Sequence, residues 1–356
     1  TRGPGTIEPP CPSFGPPFFC GGCDWLNLSY ETQLKYKTEL VSEQIQSLNP
    51  GIDIPDTIAS PVTQYYRNKA FMPVGKGKNG LEFGIYERWS HKIVPHKTCF
   101  LHPPEFDLIA HRCLELMDNA KVQPYDETSH TGTLRHIGFR CSKDKKQILM
   151  ILVTRSAKLP FSNLLVKKLT SEFPQLSGIV QNINREKGNV ILGNEEKILY
   201  GNPYINEEIN NLKFRIHYKS FWQVNSAMLQ LIIKNIQGKV QPEDTVLDTF
   251  SGIGVLGLSL AAKVREVFCI EESSAAIDDG KFNCQLNDIS NATFLNGKTE
   301  DTLPLILNSP EKYTSKIPEV IILDPPRTGV QKSVLEEIIK AKLSHILYLS
   351  CSPITL

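Results

Sequence analysis

The sequence predicts an α/β protein in which a mixed α+β region precedes a parallel sheet covered by helices. The prediction rests on a change of pattern near residue 225 of the 356-residue chain. Before this point, short β-like runs are separated by turns and by two helical stretches. After it, apolar strands alternate with helices, which is typical of βαβ units and therefore of a parallel sheet.

The length of the chain predicts more than one domain. We expect a Cys-rich segment and a helix over residues 1–45, an α+β central domain over 46–217, and the parallel-sheet domain over 218–356. Apolar periodicity predicts helices over residues 28–48, 105–118, 161–173, 255–263, 274–287 and 331–341. β-like runs predict strands over residues 83–94, 134–140, 147–154, 176–184, 189–193, 212–220, 245–248, 266–270, 293–295, 320–324 and 345–350.

Composition and charge exclude several classes of protein. The net charge is +1 and 40% of the residues are hydrophobic, which is ordinary for a globular protein. We predict no membrane association, because no apolar stretch reaches the roughly 18 residues that span a bilayer. Residues 134–169 carry nine Lys and Arg residues against one Asp. This basic region indicates either a surface that binds a phosphate backbone or a merely solvated face.

The amino end begins with Thr1 and continues into a Pro- and Gly-rich stretch, so we expect a fragment or a processed form. The nine cysteines, in a long chain without an obvious secretory signal, do not indicate a disulfide framework.

A glycine-rich turn follows the strand predicted at 245–248. Phe250, Gly252 and Gly254 lie between this strand and a helix, and Glu271 follows at the end of the next strand. Such a turn lets the backbone approach a nucleotide, while a carboxylate at the position of Glu271 accepts ribose hydroxyls. Asp248 favours S-adenosylmethionine over a dinucleotide, because a carboxylate there suits its cationic amino end. A tight turn without a ligand is the alternative.

Two further strands are followed by residues with charged or nucleophilic side chains. Asp324 follows the strand at 320–324, with two prolines and Arg327 after it, and Cys351 follows the strand at 345–350. Asp324 and Cys351 are therefore expected at the same side of the sheet as Asp248 and Glu271. The alternative for Cys351 alone is a small apolar residue in a core.

A thiol beside a methyl donor suits one reaction in particular. The C5 atom of a pyrimidine is a poor nucleophile, but a thiolate that adds to C6 makes C5 reactive toward a methyl group. A base must afterwards remove the C5 proton. Amino-group methyltransferases need no such cysteine and carry an Asn/Asp-Pro-Pro-aromatic signature, whereas Arg327 follows the prolines here. We interpret the similar "GNPY" at 201–204 as a turn.

Four motifs in order resemble the RNA uracil-5 methyltransferases, which form 5-methyluridine in tRNA and rRNA. They occupy residues 221–228, 247–258, 323–330 and 349–353. Residues 64–74 and 134–140 resemble the RNA-binding central domain of that family. The resemblance implies a Rossmann-like S-adenosylmethionine-dependent methyltransferase domain after an α+β RNA-binding domain.

The resemblance also implies roles for individual residues. Gln223, Phe250, Glu271 and Asp324 would contact S-adenosylmethionine, Cys351 would be the nucleophile, and Arg327 with Asp324 would shape the catalytic pocket. The RNA target is tRNA, rRNA or both, and no protein partner is inferred. The nearest members are mitochondrial, which implies a mitochondrial matrix location. The alternative is an RNA-binding or RNA-folding protein that keeps the scaffold without turnover.

A second group of cysteines lies near the amino end. Cys20 and Cys23 form a CxxC pair, with Cys11 before it and Cys99 after it. This spacing suits zinc or an iron–sulfur cluster. Bacterial rRNA members of the family hold a four-iron cluster in a similar context, so the resemblance favours [4Fe–4S], with zinc and unliganded thiols as alternatives. The remaining cysteines are expected to be structural: Cys113, Cys141, Cys269 and Cys284.

In the family, the base that removes the C5 proton is a glutamate well beyond the nucleophile, and two further strands complete the sheet. The sequence ends at Leu356. We therefore expect the chain as given to be poorly stable and not to complete turnover. A covalent adduct with 5-fluorouridine RNA is still compatible with it, because addition and methyl transfer precede the missing step.

Overall fold

The computed structural model describes residues 3–314 and 317–355. Its helices are α1 Tyr30–Leu48, α2 Pro104–Asn119, α3 Ser162–Glu172, α4 Ser226–Gln237, α5 Val255–Leu258, α6 Ser274–Leu286, α7 Thr299–Asn308 and α8 Lys332–Ala341. Its strands are β1 Lys69–Gly77, β2 Gly80–Tyr86, β3 Ile93–Pro95, β4 Leu134–Cys141, β5 Ile148–Thr154, β6 Leu176–Ile183, β7 Glu195–Gly201, β8 Tyr204–Ile209, β9 Leu212–His217, β10 Thr245–Thr249, β11 Glu266–Glu271, β12 Ala292–Asn296, β13 Val320–Leu323 and β14 His345–Tyr348. The predicted α/β fold is confirmed.

The amino-terminal segment has turns and isolated bridges before α1 begins. The Ser29 hydroxyl accepts a hydrogen bond from the backbone N–H of Thr32 and caps this helix. None of the residues of α1 is buried, since the helix is polar on most of its surface. It contacts the short 3₁₀ turn at Pro353–Thr355.

A seven-stranded sheet forms the central part, in the order β3-β2-β1-β4-β5-β6-β7. Only β5 and β6 pair in parallel, because α3 crosses between them. Apolar side chains from α2 and α3, such as Phe106 and Leu169, pack against one face of the sheet. All of β5 is buried, because Ile148, Met150 and Leu152 face these helices. The alternate residues, Leu149, Ile151 and Val153, face a second core on the other side.

The predicted strand at residues 189–193 is wrong, and this segment is irregular. Its carbonyl groups are engaged by a side chain instead of a neighbouring strand: the Asn184 amide donates to the carbonyls of Val190 and Ile191 at 2.6 and 3.0 Å. The strand that pairs with β6 is β7, a few residues later. The predicted turn at 201–204 is confirmed, since β7 ends at Gly201 and β8 begins at Tyr204.

The hairpin β8–β9 and helix α4 connect the two sheets. Phe214 and Trp222 pack in one continuous core with Leu229 of α4 and Val246 of β10. The Asp279 carboxylate of α6 accepts hydrogen bonds from the Arg215 guanidinium and from the Ser220 hydroxyl. The predicted boundary at residue 217 falls inside this shared core, and the one at residue 45 falls inside α1.

The second sheet is parallel throughout and has the order β12-β11-β10-β13-β14. Helix α5 ends at Leu258, earlier than predicted, and a 3₁₀ turn follows at Ala261–Lys263. Strand β14 likewise ends at Tyr348, although the Leu349 N–H still donates to the Leu323 carbonyl at 2.7 Å. Among the described residues, no helix combines the length and apolar character that membrane spanning requires.

Two residues of the basic region do not lie on the surface as expected. Arg135 is buried and donates to the carbonyls of Asn184 and Glu186, and Arg140 is fully buried and donates to the carbonyl of Ser220. Both side chains hold irregular backbone in place, so they are unavailable to a phosphate. The exposed part of the region includes Lys143, Lys146, Lys158, Lys167 and Lys168.

Candidate active site and the family of the chain

The parallel sheet brings the predicted residues of four strands to one edge, at the carboxyl ends of those strands. Asp248 lies in β10, Glu271 is the last residue of β11, Asp324 follows β13, and Cys351 follows β14. Because all these strands are parallel, their carboxyl ends meet at the same side of the sheet. The strand order places Glu271, Asp248, Asp324 and Cys351 in that sequence across the sheet.

The glycine-rich turn after β10 is held by Glu271. Its two carboxylate oxygens accept hydrogen bonds from the N–H groups of Gly252 and Ser273, each at 2.8 Å. Each oxygen keeps a second lone-pair site for another donor, such as a ribose hydroxyl. The turn passes through the left-handed region, with φ of 55° at Phe250 and 56° at Gly252.

Gly252 and Gly254 have different roles in this turn. A Cβ on Gly254 would lie 2.6 Å from the Phe294 ring, so this glycine allows the turn to pack against β12. A Cβ on Gly252 would meet no atom within 4 Å. The space in front of Gly252 is therefore open, and a ligand can approach the backbone there.

Asp248 is a buried carboxyl that lacks a full set of partners. Its side chain is 1% exposed, and Oδ2 accepts from the Gly257 N–H at 2.8 Å. Its Oδ1 atom is buried without a hydrogen-bond partner among the described residues. Burial, with smaller contributions from Asp324 and Glu271, raises the pKa of Asp248 to about 7. A cationic ligand close to Asp248 would lower this pKa and stabilise the ionised carboxylate.

Asp324 is connected to the segment that precedes α4. Gln223 donates from Nε2 to Oδ2 of Asp324 at 3.2 Å. Burial raises the pKa of Asp324 to about 6, and the hydrogen bond from Gln223 opposes this shift. The next residues form a turn in which the Gly329 N–H donates to the Pro326 carbonyl, and Arg327 is exposed on it.

Cys351 lies on an exposed turn beyond β14. The Ser350 hydroxyl donates to the carbonyl of Ser352 at 2.7 Å and accepts from the Ser352 N–H at 3.1 Å, which fixes the turn around the thiol. Cys351 is exposed, whereas Cys113, Cys141 and Cys269 are buried. The alternative that Cys351 is a small apolar residue in a core is therefore wrong.

These residues fit S-adenosylmethionine on three structural grounds. The backbone at Gly252 is open to a ligand, Glu271 accepts a hydrogen bond from it, and β10 before the turn carries the buried, unpartnered Oδ1 of Asp248. Asp248, Glu271 and Asp324 together supply negative charge for a cation.

The four cysteines near the amino end converge. Burial, followed by the charges of Cys99, Cys20 and Cys11, raises the pKa of the Cys23 thiol to about 12. Burial likewise raises the pKa of Cys99 to about 11, with a smaller contribution from Cys20. Cys23 is thus close enough to each of the other three thiols to be repelled by it when both are ionised. A metal centre would relieve this repulsion, so the donor set fits one.

A histidine group beside Cys99 was not predicted from the sequence. Ligand atoms of His96, Cys99 and His102 lie within 4.8 Å of one another. Asp107 orients this group: Oδ1 is 3.2 Å from His96 Nε2 and 2.8 Å from His102 Nε2, and Oδ2 accepts from the Cys99 N–H at 2.9 Å. The H-x₂-C-x₂-H spacing in the sequence could have indicated this group of ligand atoms.

The sequence model of the tRNA (uracil-5-)-methyltransferase family matches residues 29–356. The chain belongs to this family. An RNA methyltransferase of Listeria innocua is 34% identical over 354 residues, which cover 98% of this chain and 76% of that protein. An RNA methyltransferase of Halalkalibacterium halodurans is 34% identical over 362 residues, covering 99% and 76%.

A solved structure of another uracil-5 methyltransferase is similar over almost the whole chain. The Pyrococcus abyssi tRNA (uracil-54, C5)-methyltransferase, in complex with S-adenosyl-L-homocysteine, aligns with a TM-score of 0.79 and 24% identity, covering 99% of this chain and 78% of that one. At this identity the likeness shows the fold. Family membership confirms the predicted enzyme class, an S-adenosylmethionine-dependent RNA methyltransferase, and with it the cofactor and RNA as partner.

Proposed function

We propose that the chain methylates C5 of a uridine in RNA through a covalent bond between Cys351 and C6 of the base. The observation that carries the proposal is the exposed thiol of Cys351 directly after β14, the strand that neighbours β13 and Asp324. It lies at the same edge of the sheet as Glu271 and the open glycine-rich turn. Bound S-adenosylmethionine supplies an electrophilic methyl group. Glu271 holds its ribose, and Asp248 and Asp324 attract its cationic part.

In this mechanism the Cys351 thiolate adds to C6, and the electron pair of the C5–C6 double bond moves toward the O4 carbonyl. The resulting enolate carries nucleophilic character at C5, which forms a bond to the methyl carbon as the bond from that carbon to the sulfonium sulfur breaks and S-adenosylhomocysteine leaves. A base, which the family resemblance places well beyond Cys351 in sequence, then removes the C5 proton, and the returning electrons expel Cys351. Gln223 and Asp324 position the pocket, and exposed Arg327 at its mouth contacts the RNA. The target nucleotide must leave its stack to reach these groups.

We propose a T-loop uridine of tRNA as the substrate, with small-subunit rRNA as the alternative. The name of the family and that of the Pyrococcus relative support tRNA. Mass spectrometry of nucleosides tests this choice: RNA from cells without the full-length protein should lose 5-methyluridine from tRNA. Loss from rRNA with tRNA unchanged would contradict it. The mitochondrial location stays a proposal, which fractionation of cells that express the full-length protein tests.

The covalent route has a direct test. 5-Fluorouridine cannot release a proton from C5, so RNA that contains it should trap the Cys351 adduct after methyl transfer. We expect a protein–RNA band that requires S-adenosylmethionine and that disappears in Cys351→Ala. RNA binding without an adduct would instead support an RNA-binding protein without turnover.

We further propose that Cys11, Cys20, Cys23 and Cys99 hold a [4Fe–4S] cluster. The proposal is supported by the raised pKa values of the Cys20, Cys23 and Cys99 thiols, to which the charges of neighbouring cysteines contribute after burial. Anaerobic purification followed by analysis of iron and acid-labile sulfide tests it. Equal amounts of iron and sulfide, lost in Cys23→Ser, are expected; zinc in place of iron would contradict the cluster.

A further inference from the structure

An open cavity lies between the seven-stranded sheet and the amino-terminal segment. It has a volume of about 610 Å³. Its lining comes from the amino-terminal segment, from β1, β2 and β4, from the turn after β2 and from the segment before β7, and includes Phe71, Tyr86, Trp89, His91 and His136. Every lining residue lies before β7, so the parallel sheet contributes none. The reaction derived above does not use this cavity.

Exposed aromatic side chains lie at the cavity and in the neighbouring segment. Trp89 is 97% exposed, and the neighbouring Phe18 and Phe19 are 46% and 49% exposed. The backbone holds them there, because the Arg88 N–H donates to the Phe19 carbonyl at 3.0 Å. Trp89 and Phe19 both adopt positive φ, at 61° and 52°. Bulky residues seldom adopt this strained conformation, and it concentrates at functional sites.

The charges around the cavity are balanced in pairs. Arg88 pairs with Asp24 at 2.6 Å, Lys92 with Glu87 at 3.4 Å, and His91 with Glu127 at 2.7 Å. Such paired cations do not favour a free phosphate. The cavity thus suits an uncharged and planar ligand.

One polar atom without a partner indicates that the ligand carries hydrogen-bonding groups. The Nδ1 atom of His136, which lines the cavity, is buried without a partner among the described residues. Burial, and then the charge of Arg135, lowers the pKa of His136 to about 4. A neutral imidazole can donate or accept one hydrogen bond at the edge of a base. The Tyr86 and His91 rings stack 5.2 Å apart beside it.

We propose that this cavity receives an unpaired nucleobase of the RNA substrate, stacked on Trp89, at a second site distinct from the pocket of Cys351. A nucleobase is planar and uncharged and presents polar edges, which matches the aromatic walls, the paired charges and the free imidazole nitrogen. A volume of about 610 Å³ accommodates a base. The assignment rests on the proposed action on RNA and adds the means by which the enzyme recognises an unpaired region of it.

The experiment compares RNA affinity of the anaerobically purified full chain with that of Trp89→Ala and Trp89→Phe. Fluorescence anisotropy with an unmodified tRNA transcript should give an affinity about tenfold weaker for Trp89→Ala, from the loss of one base stack. Trp89→Phe should keep most of the affinity. The matched control is Phe161→Ala, because Phe161 is also an exposed aromatic with positive φ (62% and 58°), at the start of α3 on the other face of the sheet.

A fully paired RNA duplex serves as the second probe. The parent and Trp89→Ala should bind it equally, because no base is free to stack. An unchanged affinity of Trp89→Ala for the tRNA transcript would overturn the base site but would leave the methyltransferase proposal unaffected. The exposed aromatic surface would then be better explained as a contact site for a protein. A parent chain that binds neither RNA would overturn both proposals.

Discussion

Gln223 donates a hydrogen bond to Asp324 at 3.2 Å and so joins the segment before α4 to the end of β13. The two residues are 101 positions apart in sequence and meet at the end of β13, the strand that neighbours β10. This bond opposes the effect of burial on the carboxyl group. It therefore keeps Asp324 more ionised, as a cation site requires.

Removal of this bond should weaken cofactor binding. In Gln223→Ala we expect the pKa of Asp324 to rise further, because burial then acts unopposed. The affinity for S-adenosylmethionine should fall about tenfold, the equivalent of one hydrogen bond to a charged group. Isothermal titration calorimetry measures it. Gln230→Ala is the control, because Gln230 lies on α4 and its side chain accepts an exposed hydrogen bond from Lys143; an equal loss there would contradict the assignment.

Cofactor affinity should depend on pH. Asp248 and Asp324, with pKa values of about 7 and about 6, ionise as the pH rises from about 5 to 8, so affinity for the cation should rise over this window. Both carboxyls bind protons more tightly in the folded than in the unfolded chain. Their contribution to the free energy of unfolding of the ligand-free protein therefore falls as the pH rises. Binding measured at several pH values checks the first effect, and Asp248→Asn should flatten its upper part.

The two glycines of the turn should respond differently to alanine. Gly254→Ala places Cβ against Phe294 and should destabilise the fold by about 2 kcal/mol or more. Gly252→Ala meets no protein atom, so its cost is about 1 kcal/mol from the positive φ. It should nevertheless lose cofactor binding, because the methyl group occupies the ligand's space. Denaturant unfolding and calorimetry separate the effects; full cofactor affinity in Gly252→Ala would contradict the site.

Cys351 should matter for chemistry and not for folding. Cys351→Ala should abolish the 5-fluorouridine adduct and change the free energy of unfolding by less than about 0.5 kcal/mol, because the side chain is exposed. Gel analysis and urea denaturation provide the two measurements. Cys284→Ala, within α6, should keep the adduct. An adduct that persists in Cys351→Ala would require another nucleophile.

Asp279 should stabilise the junction between the sheets. Asp279→Ala leaves the Arg215 guanidinium without its carboxylate partner and should cost about 3 kcal/mol. Asp278, the preceding residue of α6, is exposed, so Asp278→Ala should change stability by less than about 0.5 kcal/mol. Urea unfolding curves of both variants give the comparison, and similar midpoints would contradict the role of Asp279.

The amino-acid pattern was enough to predict the parallel sheet and the side of it on which Asp248, Glu271, Asp324 and Cys351 meet. These features depend on local signals, namely apolar runs and the polar residues at their carboxyl ends, and on the rule that parallel strands end at one side. The same local reasoning placed a strand at 189–193, where the Asn184 side chain binds the backbone carbonyls instead.

The exposure of individual charged and aromatic side chains is determined only by the tertiary structure. Arg135 and Arg140 belong to a basic run but are buried, and Trp89 is apolar but almost fully exposed. The pKa values of Asp248 and His136, and the electrostatic interaction of Cys99 with Cys20 and Cys23, likewise arise from burial and from long-range contacts. Burial is a property of how elements pack against each other, so a pattern along the chain does not contain it.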